Sequence, residues 1–405
     1  MLNPLPVVLA DIRRSRTGFL AVVGLIAVAV ALGVAVSAQE RALRRGSARA
    51  ADTFDLVVGA PGSPTQLVLA TVYLQPAALP LVSGEVLRRL QQEPGAAAVA
   101  PIAFGDRFQS HPVIGTAAPF IVRLGIVEGR PFATPHEAVV GAGVALGIGG
   151  RFAPTHGRAN QRALEDEADH DHPHSFEHVV VGRLPKLGTP WDQAILVPVE
   201  AVWAIHGLPS GHGSDFERIG PPWDGKEIAG VPAIVVQPRS VGDAYRLRGK
   251  YRTGGTTALF PAEVLVELYA LLGDARDLLA YLAVATQALV IAAILLAVFA
   301  SLALRRRQLA VLRALGASRA YVFSAVWSHL TLMITLGAGL GLLLGWAGAT
   351  ALSAALSAKT GVAMAVALAP QEIAMAGAVI CVGMLLAVIP SWASYRQSVA
   401  AGLRG

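Results

Sequence analysis

Cysteine is almost absent from this 405-residue chain, and its one example, Cys381, lies inside an apolar run. A lone cysteine excludes an internal disulfide and any multi-cysteine metal or redox motif. Charge is also scarce: 15% of residues are charged against 54% hydrophobic, which excludes a disordered chain and argues against a purely soluble one. No Gly-x-x-x-x-Gly-Lys-Ser/Thr phosphate loop occurs, so any ATPase must act in trans. No nucleophile is accompanied by a base and an orienting group, and the chain reads as non-catalytic, with no cofactor of its own.

Acidic residues are nearly missing outside residues 39–277. That segment holds 22 Lys/Arg and 25 Asp/Glu, while the rest holds 11 basic residues and 2 acidic ones. The formal charge of +6 is therefore concentrated beside apolar runs. Such a distribution is a membrane-topology signal rather than a phosphate-binding surface, and no nucleic-acid partner is expected.

Four stretches are long and apolar enough to cross about 30 Å of hydrocarbon: 18–38, 278–304, 327–351 and 372–393. Val36-Ser37-Ala38 loosely resembles a signal-peptidase site, but the run before it exceeds the about 7–15 residues of a signal core. Ten of the eleven basic residues outside 39–277 flank the spans on one side, and only Lys359 lies in the short connection 352–371. The positive-inside rule then puts the N-terminal segment 1–17, the loop 305–326 and the tail 394–405 in the cytoplasm, and the large domain outside. Leu5, Val8, Leu9 and Ile12 are spaced for a short amphipathic helix against membrane lipid; a plain topogenic flank is the alternative.

Within the large domain, Phe54–Val58, Gln66–Tyr73, Phe120–Ile126, Val179–Leu184, Ala194–Val199 and Ala233–Gln237 are the expected strands. Helices are expected over Gly84–Gln92 and Val241–Lys250, the latter with Ser240 and Asp243 as a capping box. Strands and helices do not alternate regularly, which predicts an α+β domain. The first span is expected to continue outward through Gln39–Ala51, and Pro261 to start a helix leading into the second span. Together these extensions would form a helical stalk.

Between two expected strands, residues 165–178 carry His170, His172, His174 and His178 among several carboxylates. Two readings stand: a solvated low-complexity loop, or capture of Zn²⁺ by imidazole. His206 and His212 are further histidines of the domain. Gly337, Gly341 and Gly345 repeat every four residues, a pattern for close helix packing within the chain or across a dimer. His329, near the start of the third span, reads as a packing residue, with a proton relay as the alternative.

The loop Leu304-Arg305-Arg306-Arg307-Gln308-Leu309-Ala310-Val311-Leu312-Arg313-Ala314-Leu315-Gly316 sets Leu309, Leu312 and Leu315 at helical spacing, with Gly316 as a helix stop. As bare chemistry it suits an ATPase contact or an interfacial helix on anionic lipid. This segment, followed by Ala317-Ser318-Arg319 and a glycine-rich span, resembles the FtsX-like permease family of ABC transporters, and within it the MacB/LolC/LolE type. The likeness covers residues 282–398, and Asp55–Pro64 with Gln66–Leu69 resembles the start of that family's periplasmic core domain. One departure is Gly149-Gly150-Arg151-Phe152, where relatives tend to read Val-Gly-Asp.

The resemblance implies a permease subunit in a bacterial inner membrane, with its large domain in the periplasm. It implies a dimer with a second copy or a homologous permease, driven by a cytoplasmic ABC ATPase that binds ATP and Mg²⁺. Arg305, Arg306, Arg307, Leu309, Leu312, Arg313, Leu315 and Gly316 would form the coupling helix. The expected work is mechanotransmission that exports or extracts a lipoprotein, peptide, amphiphile or metal-linked substrate, with a periplasmic lipoprotein, metal-binding protein or adaptor as further partner. Two alternatives accompany it: an FtsX-like regulator that activates a partner such as a cell-wall hydrolase, and a zinc export or delivery system using the histidine insertion.

Overall fold

The computed structural model describes residues 3–156, 176–213, 215, 217–253, 255–270, 281, 285, 288, 311 and 313–396. The chain divides into two compact units. A helical unit comprises Met1–Arg44, Leu272–Ala355 and Met364–Gly405, and a sheet unit comprises Arg45–Leu271 and Leu356–Ala363.

In the helical unit, α1 (Leu5–Arg14) carries its arginines in its last turn, with Leu5 and Leu9 exposed and Val8 buried. Helix α2 runs unbroken from Arg16 to Ala51, and its last turns belong to the sheet unit. At about 1.5 Å per residue it is far longer than the bilayer core requires. Leu20, Val28, Leu32 and Val36 are exposed along it, while Ile26, Val30 and Val34 are buried. The first set is an outward apolar face, as lipid contact demands.

The sheet unit is a mixed sheet, and its strands and helices are named here in chain order. The strands are β1 (Leu56–Gly59), β2 (Ala96–Phe108), β3 (His111–Thr116), β4 (Glu128–Gly129), β5 (Glu137–Val140), β6 (Arg151–Phe152), β7 (Thr155–His156), β8 (His178–Arg183), β9 (Ile195–Pro198), β10 (Ala233–Pro238) and β11 (Thr257–Leu259). Their helices are α3 (Pro64–Tyr73), α4 (Gly84–Gln91), α5 (Ala118–Leu124), α6 (Val199–Ile205), α7 (Val241–Tyr251) and α8 over 261–270. The path is β11-β1-β10-β2-β3-β9-β5-β8-β4, with β6 on β8 and β7 on β2. Pairs β3·β9 and β5·β8 are parallel, and the other pairs are antiparallel. Long β2 serves both halves: its first part pairs β10 and its second part β3, with the register shifting between Phe104 and Asp106.

Successive strand residues point to opposite faces, and two separate cores follow from that alternation. Leu56 and Val58 join Leu87 and Leu90 of α4, Trp203 of α6 and Leu247 of α7 on one face. Val57 joins Val68 of α3, Phe120 of α5 and Trp191 on the other. Ala50 and Ala51 of α2 and Val264 and Leu265 of α8 enter this second core, so both helical extensions end against the same sheet face.

Two expected strands are helices. Ser63 caps α3, its Oγ accepting from the Gln66 N–H at 3.3 Å, and Pro64 occupies the first turn. The β-branched run behind them is buried against the sheet as a helix, because cap and proline outweigh a weak strand propensity. Segment 118–124 likewise starts with Pro119 in its first turn and ends at Gly125, whose φ of +88° stops it. Expectations at 84–92 and 241–250 match α4 and α7, and Ser240 Oγ accepts from the Asp243 N–H at 3.1 Å. At the departure point, Gly149 has φ +82° and its N–H donates to the Val180 carbonyl at 2.8 Å, so the turn closes without the acid.

Among the described residues three helices are long and apolar enough to cross a membrane: Arg16–Ala51, Arg319–Thr360 and Pro370–Trp392. The last comprises α10 (Pro370–Leu386) and the first part of α11 (Val388–Arg396), and Arg319–Thr360 is α9. The expected span 278–304 lies outside the described residues apart from isolated positions.

Candidate coupling site

The arginine-rich loop is described only at its end. Arg305, Arg306, Arg307, Leu309 and Leu312 lie outside the described residues. A final helical turn is present, with the Leu315 N–H on the Val311 carbonyl at 2.9 Å and the Gly316 N–H on the Arg313 carbonyl at 3.1 Å. Gly316 adopts φ +100°, which a side-chain-bearing residue rarely reaches, and the helix stops there. Two residues later Ser318 Oγ accepts from the Tyr321 N–H at 3.2 Å and caps α9. The sequence Leu-Gly-Ala-Ser is thus a helix stop followed by a helix start. Leu315, 81% exposed, is an apolar side chain offered outward beside that break.

Gly337, Gly341 and Gly345 line the contact of α9 with α2. A Cβ at these positions would fall 2.7 Å from the Ile26 Cβ, 2.6 Å from the Ala27 carbonyl oxygen and 2.6 Å from the Ala31 carbonyl oxygen. The repeat every four residues therefore keeps two backbones close inside one chain. His329 lies edge-on to Phe19, at 5.9 Å between centroids, with Nδ1 3.6 Å from Asp11.

A buried ionic cluster joins α2 to the start of α10. Glu372 is 1% exposed; its Oε2 accepts from Arg41 Nη2 at 2.8 Å and from the Ala369 N–H at 2.9 Å. Its Oε1 accepts from Ser37 Oγ at 2.8 Å and from Arg41 Nη1. Arg41 Nη2 also donates to the Ala367 carbonyl at 3.2 Å. This cluster was missed by sequence reasoning, although a lone acid at the edge of an apolar run was its available signal.

Of the insertion's histidines, His170, His172 and His174 lie outside the described residues. His178 is at the start of β8, fully buried, stacked on Phe152 at 5.2 Å and beside Phe176 at 5.3 Å. Burial, and after it the nearby His136, pulls its pKa down to about 4, so at neutral pH the ring is uncharged. A metal would reach it only if the ring left this slot. Among the described residues no group of three or more His, Cys, Asp or Glu side chains is arranged to hold a metal ion. His206 and His212 are not joined to it: His206 is 3.7 Å from Asp106, and His212 is 3.3 Å from Glu200.

A likeness to a known family lies in the membrane segment. Residues 281–399 match the FtsX-like permease C-terminal family. That part of the chain is similar to the C-terminal domain of FtsX-like permeases. Permeases of this family are transport subunits that work with a separate cytoplasmic ABC ATPase. The matched region includes the Gly316–Ser318 break, α9 and its glycine face, and Glu372. Among solved structures, the chain is similar to the periplasmic region of MacB from Actinobacillus actinomycetemcomitans, at 10% identity and a TM-score of 0.32, over 56% of this chain and 95% of that one. It is also similar to the extracellular domain of the noncanonic ABC-type transporter YknZ from Gram-positive bacteria, at 14% identity and a TM-score of 0.28, over 50% and 98% of the two chains. No curated protein matches the sequence.

Proposed function

We propose that this permease subunit transmits ATP-driven motion from a cytoplasmic ATPase to its sheet unit outside the cytoplasm. The match of residues 281–399 to the permease family carries the reading. In it the chain crosses the inner membrane four times, with 278–304 as the second span and both termini inside, as the distribution of arginines favours. Arg305, Arg306, Arg307, Leu309, Leu312, Arg313, Leu315 and Gly316 form the helix that the ATPase grips, and a second permease copy completes the assembly.

The path of force is built from stiff elements. Helix α2 has no break between Arg16 and Ala51. A helix with a continuous hydrogen-bond ladder transmits displacement along its axis, whereas a loop absorbs it. The substrate is lifted or expelled by movement of the sheet unit and belongs to the lipoprotein, peptide or amphiphile class. The test is retention of the partner ATPase by the full chain in nanodiscs. Leu315→Asp is expected to weaken that complex by about tenfold or more while leaving the helical content intact. Undiminished retention by the variant would remove the coupling assignment.

A further inference from the structure

The last residues of α9 and the first three of its connection to α10 are part of the sheet unit. Residues Leu356–Ala363 group with Arg45–Leu271, while the rest of α9 and the whole of α10 group with the helical unit. The chain therefore passes between the units twice more than the covalent ends of the large domain require.

This connection is seated on a rigid ledge. Gly361 ends α9, its N–H on the Ser357 carbonyl at 2.9 Å and its φ at +72°. A Cβ there would stand 2.9 Å from the Pro190 Cα, so glycine is required both by conformation and by closeness. Next, Val362 is 5% exposed, and the Ala363 N–H donates to the Gly188 carbonyl at 2.9 Å. On the other side, Gly46 approaches so closely that a Cβ would lie 2.9 Å from the Ala363 carbonyl oxygen and 3.0 Å from a Val362 methyl.

The ledge itself is held from within. The Asp192 carboxylate accepts from the Leu187 N–H at 2.7 Å and the Gly188 N–H at 2.9 Å. Trp191, 1% exposed, fills the second core and donates from Nε1 to the Val72 carbonyl at 3.2 Å. Directly after it comes β9, which pairs both β3 and β5 near the middle of the sheet. A push on residues 361–363 thus meets packed backbone on both sides and is passed to a central strand.

We propose that residues 356–363 are a strut through which movement of α9 and α10 drives the sheet unit, with Gly361, Val362 and Ala363 as its positioning residues. This rests on the coupling role proposed above. Packing carries the load, since a seated apolar side chain and close backbone contacts resist displacement in a way that a solvated loop does not.

The experiment uses the full chain with its ATPase in nanodiscs, in a Cys381→Ser background. Nitroxides are placed at Val241→Cys in the sheet unit and Leu340→Cys on α9, both exposed positions. Pulsed electron paramagnetic resonance reads the change in their separation between the nucleotide-free and ATP–vanadate states. Val362→Asp, which unseats the side chain, and Ala363→Pro, which removes the N–H donor and fixes φ, should each reduce that change by about threefold or more. ATPase binding and hydrolysis should persist in both. An unaltered change in both loosened variants overturns the strut while leaving the coupling role standing. No change in the unmodified chain overturns the coupling role itself, and the strut with it.

Discussion

Glu372 and Arg41, separated by 331 positions in sequence, form a two-pronged ion pair that closes the start of α10 onto α2. The glutamate side chain has no solvent exposure and the arginine side chain 16%. A charge so placed is tolerable only because Ser37 and the Ala369 N–H take up its other lone pairs.

Removing one partner of this pair is therefore far more costly than removing both. Arg41→Met or Glu372→Met alone is expected to destabilise the protein by about 3–5 kcal/mol, since an uncompensated charge stays buried. The double substitution should recover most of that loss. Thermal unfolding of the three variants in detergent, analysed as a double-mutant cycle, measures the coupling; additive losses would contradict it.

Glycines on one helix should differ sharply by face. A Cβ at Gly341 collides with Ala27 and Val30, whereas Gly339 has open space. Gly341→Val is expected to cost about 1–3 kcal/mol through overpacking, and Gly339→Ala to be neutral or mildly stabilising. Equal effects on the unfolding midpoint would show that α2 and α9 do not meet along this stripe.

His178 makes stability dependent on pH. Its folded pKa, about 4, lies below the ordinary 6.5, because burial, and then His136, disfavours the charged ring. The unfolded chain consequently binds the proton first. The stabilisation is complete above about pH 6.5, falls as the pH drops from 6.5 to 4, and is gone below that; at about 1.4 kcal/mol per pH unit it amounts to about 3 kcal/mol. His178→Phe keeps the aromatic stack and should flatten this part of the stability profile. A slope unchanged between pH 6.5 and 4 would contradict it.

Glu200 holds a long segment onto the sheet unit. Its Oε1 accepts from the Gly220 N–H at 2.8 Å and from Trp223 Nε1, with His212 Nε2 at 3.3 Å, all of them in or beside the first core. Glu200→Ala is expected to cost about 1–3 kcal/mol for each buried donor left without an acceptor. Tryptophan emission should shift to longer wavelength as Trp223 gains water. An unshifted spectrum with unchanged stability would refute the clasp.

What the amino-acid pattern revealed, and what it hid, follows from the range of the interactions. Apolar runs, arginine asymmetry and the Leu-Gly-Ala-Ser break are local, so the long apolar helices α2, α9 and α10 and the permease resemblance were readable directly. Segments 64–73 and 118–124 were misread because β-branched and aromatic residues weighed more than the Ser-Pro and Ala-Pro starts that decide them. The β2–β3 hairpin was overlooked: Ala-Pro-Ile-Ala-Phe-Gly lacks strict alternation, since β2 passes from β10 to β3 between Ile102 and Ala103 and its register with β3 shifts at Gly105. The Arg41–Glu372 pair and the seat of Ala363 on Gly188 join residues far apart in the chain, and no local spacing encodes them.

The most direct test of the central claim is hydrogen–deuterium exchange of the full chain bound to its ATPase, compared between nucleotide-free and ATP–vanadate states. In the proposed assembly ATP binds in the partner, so a response in the sheet unit would be one transmitted through the permease. The account predicts changed protection both at 313–319 and at the 187–198 ledge and strand, with the second response lost in Val362→Asp. A response confined to residues around 313–319, with the sheet unit unaltered, would contradict it.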